Sequence, residues 1–222
     1  MSHIRLALSS TILLLTGSIA SAQIVQKNGG YLFNLKYQKG QVLKQNMGMQ
    51  AVGNTKLKSS SQFIIRCLGV DKNNIASLEV TVPGVGKGEG SRKLIRVDRH
   101  GKPQGKNIEG YGGNFVWPDS PVKVGQSWLG DMNMAAPGKG GIGFKSTYKL
   151  TGVKKINGIK VAAISAAIDV KGTYDVSGTG MIYVRFSDGQ LQSADFNLML
   201  NQFSESNSQA KLKLLMTIRT MP

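Results

Sequence analysis

Histidine, cysteine and glutamate are scarce in this 222-residue chain, and each scarcity removes a class of function. Two histidines, His3 and His100, and a single cysteine, Cys67, cannot build a zinc site without recruiting several carboxylates. No Gly-x-Ser-x-Gly elbow accompanies them, so a serine hydrolase is not indicated. Paired carboxylates for glycoside hydrolysis would have to come from only 12 acidic residues, and no pair is marked out by its surroundings. The chain therefore reads as a non-enzyme without a cofactor. Four glutamates, Glu79, Glu89, Glu109 and Glu205, set against 28 glycines, leave little helix-forming material and abundant turns, which excludes a helical bundle. Aromatics are 7% of the residues and show no basic-aromatic stacking platform, so specific nucleic-acid binding is not expected. Only one apolar run is long enough to consider for a membrane, and it lies at the N-terminus.

That run belongs to a targeting segment. Arg5 precedes an apolar stretch around Leu6–Leu15, and Ala20-Ser21-Ala22 supplies the small residues before a cleavage point at Gln23. The stretch is shorter than the ~20 residues of a spanning helix. Residues 1–22 thus read as a signal peptide and 23–222 as one mature domain, periplasmic or secreted, with no transmembrane span. A lone cysteine in an exported chain forms no internal disulfide, so stability must come from packing. Cys67 lies in the β-prone run Phe63–Leu68 and reads as a buried apolar thiol.

What is present is a succession of short β-prone runs separated by turns. They fall at about 31–37, 41–52, 57–70, 74–82, 92–98, 127–134, 143–156, 159–174, 178–186, 190–203 and 209–220. Asn157-Gly158 between Ile156 and Ile159 is a two-residue hairpin signal, and Asp188-Gly189 reads the same way. The first would set Lys155 against Lys160, a like-charge pair that needs solvent or an anion. Asp71–Asn74 and Arg99–Pro103 read as longer turns, the latter placing His100 in solvent. Pro83–Gly90 and Pro137–Gly143 are glycine-rich and read as hairpin tips, and 103–126 as a crossing loop. Alanines in Ile159–Val170 favour a helix, but its flanking turns argue for a strand. In Lys211–Ile218, Leu212, Leu214, Met216 and Ile218 share one face, whereas Met181–Phe186 is apolar on both. The expected fold is all-β: an antiparallel meander of about 9–11 strands forming a strongly curved sheet or open barrel.

The segment Pro118-x-x-Pro121-Val122-x-Val124-Gly125-x-x-Trp128, then Tyr148-Lys149-Leu150-x-Gly152-Val153, then Asn157-Gly158-x-Lys160-Val161-Ala162, resembles uncharacterised exported bacterial β-domains. Phe186-Ser187-Asp188-Gly189-Gln190-Leu191 matches a later step of the same pattern, so the resemblance spans about residues 118–200. It implies a fold and a compartment, and no activity. The general shape also resembles the curved half-barrels of periplasmic lipoprotein carriers, although no helical lid segment is visible.

Charge is the most distinctive feature: 28 Lys+Arg against 12 Asp+Glu give a formal +16. Lys87, Arg92, Lys93, Arg96, Arg99, Lys102 and Lys106 crowd one stretch that holds only Glu89 and Asp98 as acids. The leading expectation is an envelope protein that holds an anionic, lipid-like amphiphile or envelope polymer, with Trp117 and Trp128 as apolar walls and Arg92, Lys93, Arg96 and Arg99 as head-group contacts. One alternative is a Cu(I) module using the i, i+2 thioethers of Met47 and Met49 and of Met132 and Met134. The other is a structural or interaction protein.

Overall fold

A computed structural model of the chain describes residues 24–52, 58–82, 90–105, 114–136, 139–170, 174–203 and 209–221. The expected signal peptide and most of the Pro83–Gly90 loop, with Lys87 and Glu89, lie outside them, as does Lys106. The described residues contain thirteen strands and no helix: β1 (Ile24–Lys27), β2 (Gly30–Phe33), β3 (Val42–Ala51), β4 (Lys58–Val70), β5 (Ala76–Val82), β6 (Ser91–Val97), β7 (Asn114–Phe115), β8 (Ser127–Ala136), β9 (Lys139–Ile156), β10 (Ile159–Val170), β11 (Tyr174–Arg185), β12 (Leu191–Phe203) and β13 (Gln209–Thr220). β1 and β2 form a hairpin. The other eleven form one antiparallel sheet in the order β6-β5-β4-β3-β13-β12-β11-β10-β9-β8-β7. Apart from β3 beside β13, every pairing joins strands adjacent in the sequence.

That order sets β6 and β7 at opposite edges, which in a flat sheet stand about 48 Å apart at ~4.8 Å per strand. Yet the Trp117 N–H donates to the carbonyl of His100 at 2.9 Å, and these residues lie just beyond β7 and β6. The sheet must therefore be rolled until its edges nearly meet at one end, as expected of an open barrel.

Strand alternation settles what fills the roll. In β9, Ser146, Tyr148 and Leu150 are buried while Lys145, Thr147 and Lys149 are exposed. Their cross-strand partners extend the buried face through Ile164, Ala166 and Ile168 on β10, Ile182 on β11, Phe196 and Leu198 on β12, and Met216 and Ile218 on β13. The β1–β2 hairpin and the stretch around Trp117–Val122 plug this face at one end, pinned by a bridge between Tyr31 and Val122. Phe33 stacks on Trp117 at 5.4 Å, Trp117 on Phe115 at 5.7 Å, and Trp128 tilts over Tyr148 at 5.7 Å. Each such pair contributes about 0.5–1.5 kcal/mol beyond its buried area. A second cluster, Cys67, Ala76, Leu78, Val80, Ile95 and Val97, lies under β4–β6.

The Asn157-Gly158 hairpin forms with both residues at positive φ (49° and 79°), and its register sets Ile156 against Ile159 and Lys155 against Lys160. Lys160 lies over the Phe186 ring at 4.3 Å, which offsets the repulsion from Lys155. Ile159–Val170 is a strand. On β13, Met216 and Ile218 are buried and Leu214 half-buried, while Lys213, Leu215 and Arg219 face out.

Four expectations need correction. Asp188-Gly189 is no two-residue turn: Phe186–Gln190 lie between the strands, because Asp188 folds back onto Arg185 through two hydrogen bonds (3.1 and 2.6 Å) and the loop docks on residues 34–36. The strand at 31–37 stops at Phe33, since Leu35 and Lys36 donate to Arg99 and Asp188 instead of to a sheet neighbour. Of the expected tip Pro137–Gly143, Lys139–Gly143 belongs to β9 and pairs back on β8, while Pro137 and Gly138 lie outside the described residues. β1 and β7 fall in no expected run.

Gly180 shares an inner row with Tyr148, Ala166, Phe196 and Met216. A Cβ there would run into the Phe196 ring and stand 2.7 Å from the Asp195 carbonyl oxygen. Gly180→Ala should lower the melting temperature by about 2–12 °C, the cost of overpacking in a domain of this size. Gly69→Ala, where a Cβ meets nothing within 4 Å, should leave it unchanged. Scanning calorimetry of the two variants distinguishes these outcomes.

Candidate functional site

Core clusters lie on either side of β3, whose own inner face carries half-buried side chains. Met47 and Met49 point to the inner face, opposite Ile218 and Met216 on one side and Ser61 and Ser59 on the other. Both methionines are half-buried against the larger cluster, Ser61 is half-buried, and Phe63 two residues further on is half-buried as well. Leu200 and Leu214 border the same strip. The result is a half-buried apolar strip edged by small hydroxyls, with thioethers whose flexible chains adapt to irregular shapes. The signal in the sequence was Met47-x-Met49 facing a serine run. Met132 and Met134 lie on β8, paired with Phe144 and Ile142 of β9 respectively, and five strands separate β8 from β3.

Trp117 lines no open space, and Trp128 is only partly exposed. Trp117 is buried at 2% exposure inside the plug, and Trp128 is half-buried beside Phe33 and Tyr148. Both indole N–H groups are buried without a hydrogen-bond partner among the described residues.

The four nominated cations do not act as a block. Arg92 and Arg96 project from the outer face of β6, where Arg92 pairs with Glu79 and Arg96 with Asp71 at 2.7 Å. Asp71 is held below the usual carboxylate range chiefly by the backbone N–H of Ile75, helped by Asn73 and Arg96. Lys93 lies on the opposite phase of the strand, across from Val80. Arg99 stands apart at the plugged end and donates through Nε to His100 Nε2 at 3.0 Å.

His100 departs most from expectation. It sits in the expected turn, but its side chain is buried rather than in solvent, because its carbonyl is tied to Trp117 and draws the turn inward. Nε2 stands 3.5 Å from Asp119, and Asp119 accepts from Lys102 at 2.7 Å. Nδ1 is buried without a partner. Asp98 organises the turn by accepting from the backbone N–H groups of His100 and Lys102. Cys67 is buried, donates to the Gly69 carbonyl at 3.6 Å, and has its thiol pushed up by burial.

No family model matches the chain, and no curated protein matches it. Among solved structures, a LolA superfamily protein from Nitrosomonas europaea aligns over 85% of this chain and 86% of its own, at 10% identity and a TM-score of 0.27. The resemblance to exported β-domains rests on its motif residues alone. Among the described residues no group of three or more His, Cys, Asp or Glu is placed to hold a metal ion, and no helix is long and apolar enough to cross a membrane.

Burial holds His100 below its ordinary value of 6.5, with Arg99 and Lys102 acting in the same direction and Asp119 and Asp98 against it. The neutral form is favoured by folding, so its stabilisation is complete above about pH 6.5 and is lost as the pH falls from there to the lower folded value. The urea midpoint should therefore decline between about pH 7 and pH 5, where no ordinary carboxylate is the dominant titrating group. His100→Gln should flatten that decline. An equal decline in the variant would assign it to another group.

Proposed function

We propose that this chain is an exported, non-enzymatic binding protein of the bacterial envelope, periplasmic or secreted, that holds an anionic amphiphile. The observation that carries this reading is the row of half-buried side chains on the inner face of β3 and β4, which we read as an apolar trough. Met47, Met49 and Phe63 remain half-buried there between two closely packed clusters. Apolar surface of this kind, continuous with a core and edged by Ser59 and Ser61, suits a flexible acyl chain. The excess of Lys and Arg supports an anionic partner, lipid or envelope polymer, since each cation near an anionic surface contributes about 1 kcal/mol.

Co-sedimentation with phosphatidylglycerol-containing and pure phosphatidylcholine vesicles tests the proposal. Retention should require the anionic lipid and fall as salt rises. Ser61→Trp, which fills the trough, should weaken it about tenfold. Retention indifferent to both lipid charge and salt would remove the electrostatic part, and retention unchanged in Ser61→Trp would remove the interior part.

One observation favours a second reading. Met216 lies directly across from Met49, so three thioethers, Met47, Met49 and Met216, share the inner face of β3 and β13. Sulfur ligands of this type suit Cu(I). Under that reading, anaerobic titration should show Cu(I) uptake that is lost when Met47 and Met49 become Leu. Uptake equal to the parent's would exclude it.

A further inference from the structure

At the plugged end, residues 34–37 run from the β11–β12 loop toward the turn after β6, and a cleft of about 300 Å³ opens between them and the β4–β5 turn. Its apolar walls are Leu35, Val70 and Ala76, and its polar groups come from Asn34, Asn74 and Tyr37, with Lys36 and Arg99 at its margin. The volume is at the lower end of the range of small-molecule sites. The walls are fixed before any ligand arrives. Leu35 N–H donates to the Arg99 carbonyl at 2.6 Å and Lys36 N–H to the Asp188 carbonyl at 2.9 Å. Tyr37 is hydrogen-bonded to Gln190, and burial pushes its phenol up to about 12, so it stays neutral.

The charges around this cleft do not cancel. Asp188 is matched by Arg185, Asp119 by Lys102 and Asp71 by Arg96. Asp98 is the one further acid nearby, and it is occupied by the backbone N–H groups of His100 and Lys102. Among the described residues, neither Lys36 nor Arg99 makes an ion pair with a carboxylate. The Oδ1 atom of Asn34, on the cleft wall, is buried without a hydrogen-bond partner among the described residues; as an acceptor it suits a hydroxyl on the ligand, not the charged group. Two cations that make no carboxylate ion pair among the described residues and a preformed cavity converge on one place.

We propose that this cleft binds a small organic anion, a carboxylate or phosphate on a short apolar body, with Lys36 and Arg99 receiving the charge and Leu35, Val70 and Ala76 the body. Arg99 offers planar, paired donors suited to either group, and Lys36 a mobile point charge. The site is separate from the trough beneath β3 and does not depend on that reading. The same chemistry is presented by a free solute and by a lipid head group.

Calorimetric titration of the full chain with glycerol 3-phosphate, butyrate and inorganic phosphate tests it. Saturable binding of glycerol 3-phosphate or butyrate is expected. Lys36→Gln and Arg99→Gln should each weaken it about tenfold, the loss of one charge-assisted contact. Arg99 also supports His100, so Lys36→Gln, whose side chain makes no such contact, decides if the Arg99 variant is destabilised. No saturable binding by any probe, binding of inorganic phosphate alone, or binding unchanged in Lys36→Gln overturns the proposal. Phosphatidylglycerol vesicles that compete with glycerol 3-phosphate in a Lys36-dependent manner would identify the source as a head group. Competition by the free solutes alone would identify it as a soluble metabolite.

Discussion

The backbone hydrogen bond between Trp117 and His100 joins the two ends of an eleven-stranded sheet, and much of the remaining structure depends on that approach. Rolling the sheet creates an inside, and a roll closed only at one end needs filling there. The β1–β2 hairpin and the aromatic stack of Phe33, Trp117 and Phe115 provide it. The same contact draws His100 out of solvent and carries Arg99 to the edge of the cleft at that end. Fold, pH response and candidate anion site therefore share one structural origin.

Electrostatics follow from an unequal supply of charge. Acids are few, and those at the plugged end are all engaged: Asp71, Asp119 and Asp188 with cations, Asp98 with backbone N–H groups. The neighbouring cations divide into those that meet a carboxylate and those that do not. Arg92 and Arg96, prominent in the sequence because they are clustered, belong to the first group. Lys36, isolated in the sequence, belongs to the second. Density of charge along the chain is thus a poor guide to where an anion would find an unmatched partner.

Local features of the fold were legible in the sequence. Asn157-Gly158 defined its own hairpin and register because both residues accept positive φ, and alternation identified Met216 and Ile218 as inward-facing. The all-β meander followed from many such local signals. What could not be read depended on contacts distant in sequence. Residues 34–37 look like strand but take their hydrogen bonds from Arg99 and Asp188, so the cleft they form had no local signature. His100 reads as an exposed turn residue until Trp117, seventeen positions later, is known to bind its carbonyl. The tryptophans were recognised as anchors but assigned to an open wall, because nothing local shows that the hairpin covers them. Of the trough, the methionine pair on β3 was visible, and its placement between two cores was not.

Incomplete closure leaves β6 at an edge with no further strand beside it among the described residues. An unpaired strand of this kind is a template on which another chain can add. Here the far end of that edge is masked by the chain itself, through the bridge of Val97 with Pro103 and the hydrogen bond from Gln104 N–H to the Arg96 carbonyl. The rest carries Arg92 and Lys93, and an approaching copy would bring the same charges against them. At the other edge β7 has only two residues, too short to propagate pairing. The cations of β6 thus set like charge against like wherever a second copy of this unclosed barrel would add to that edge.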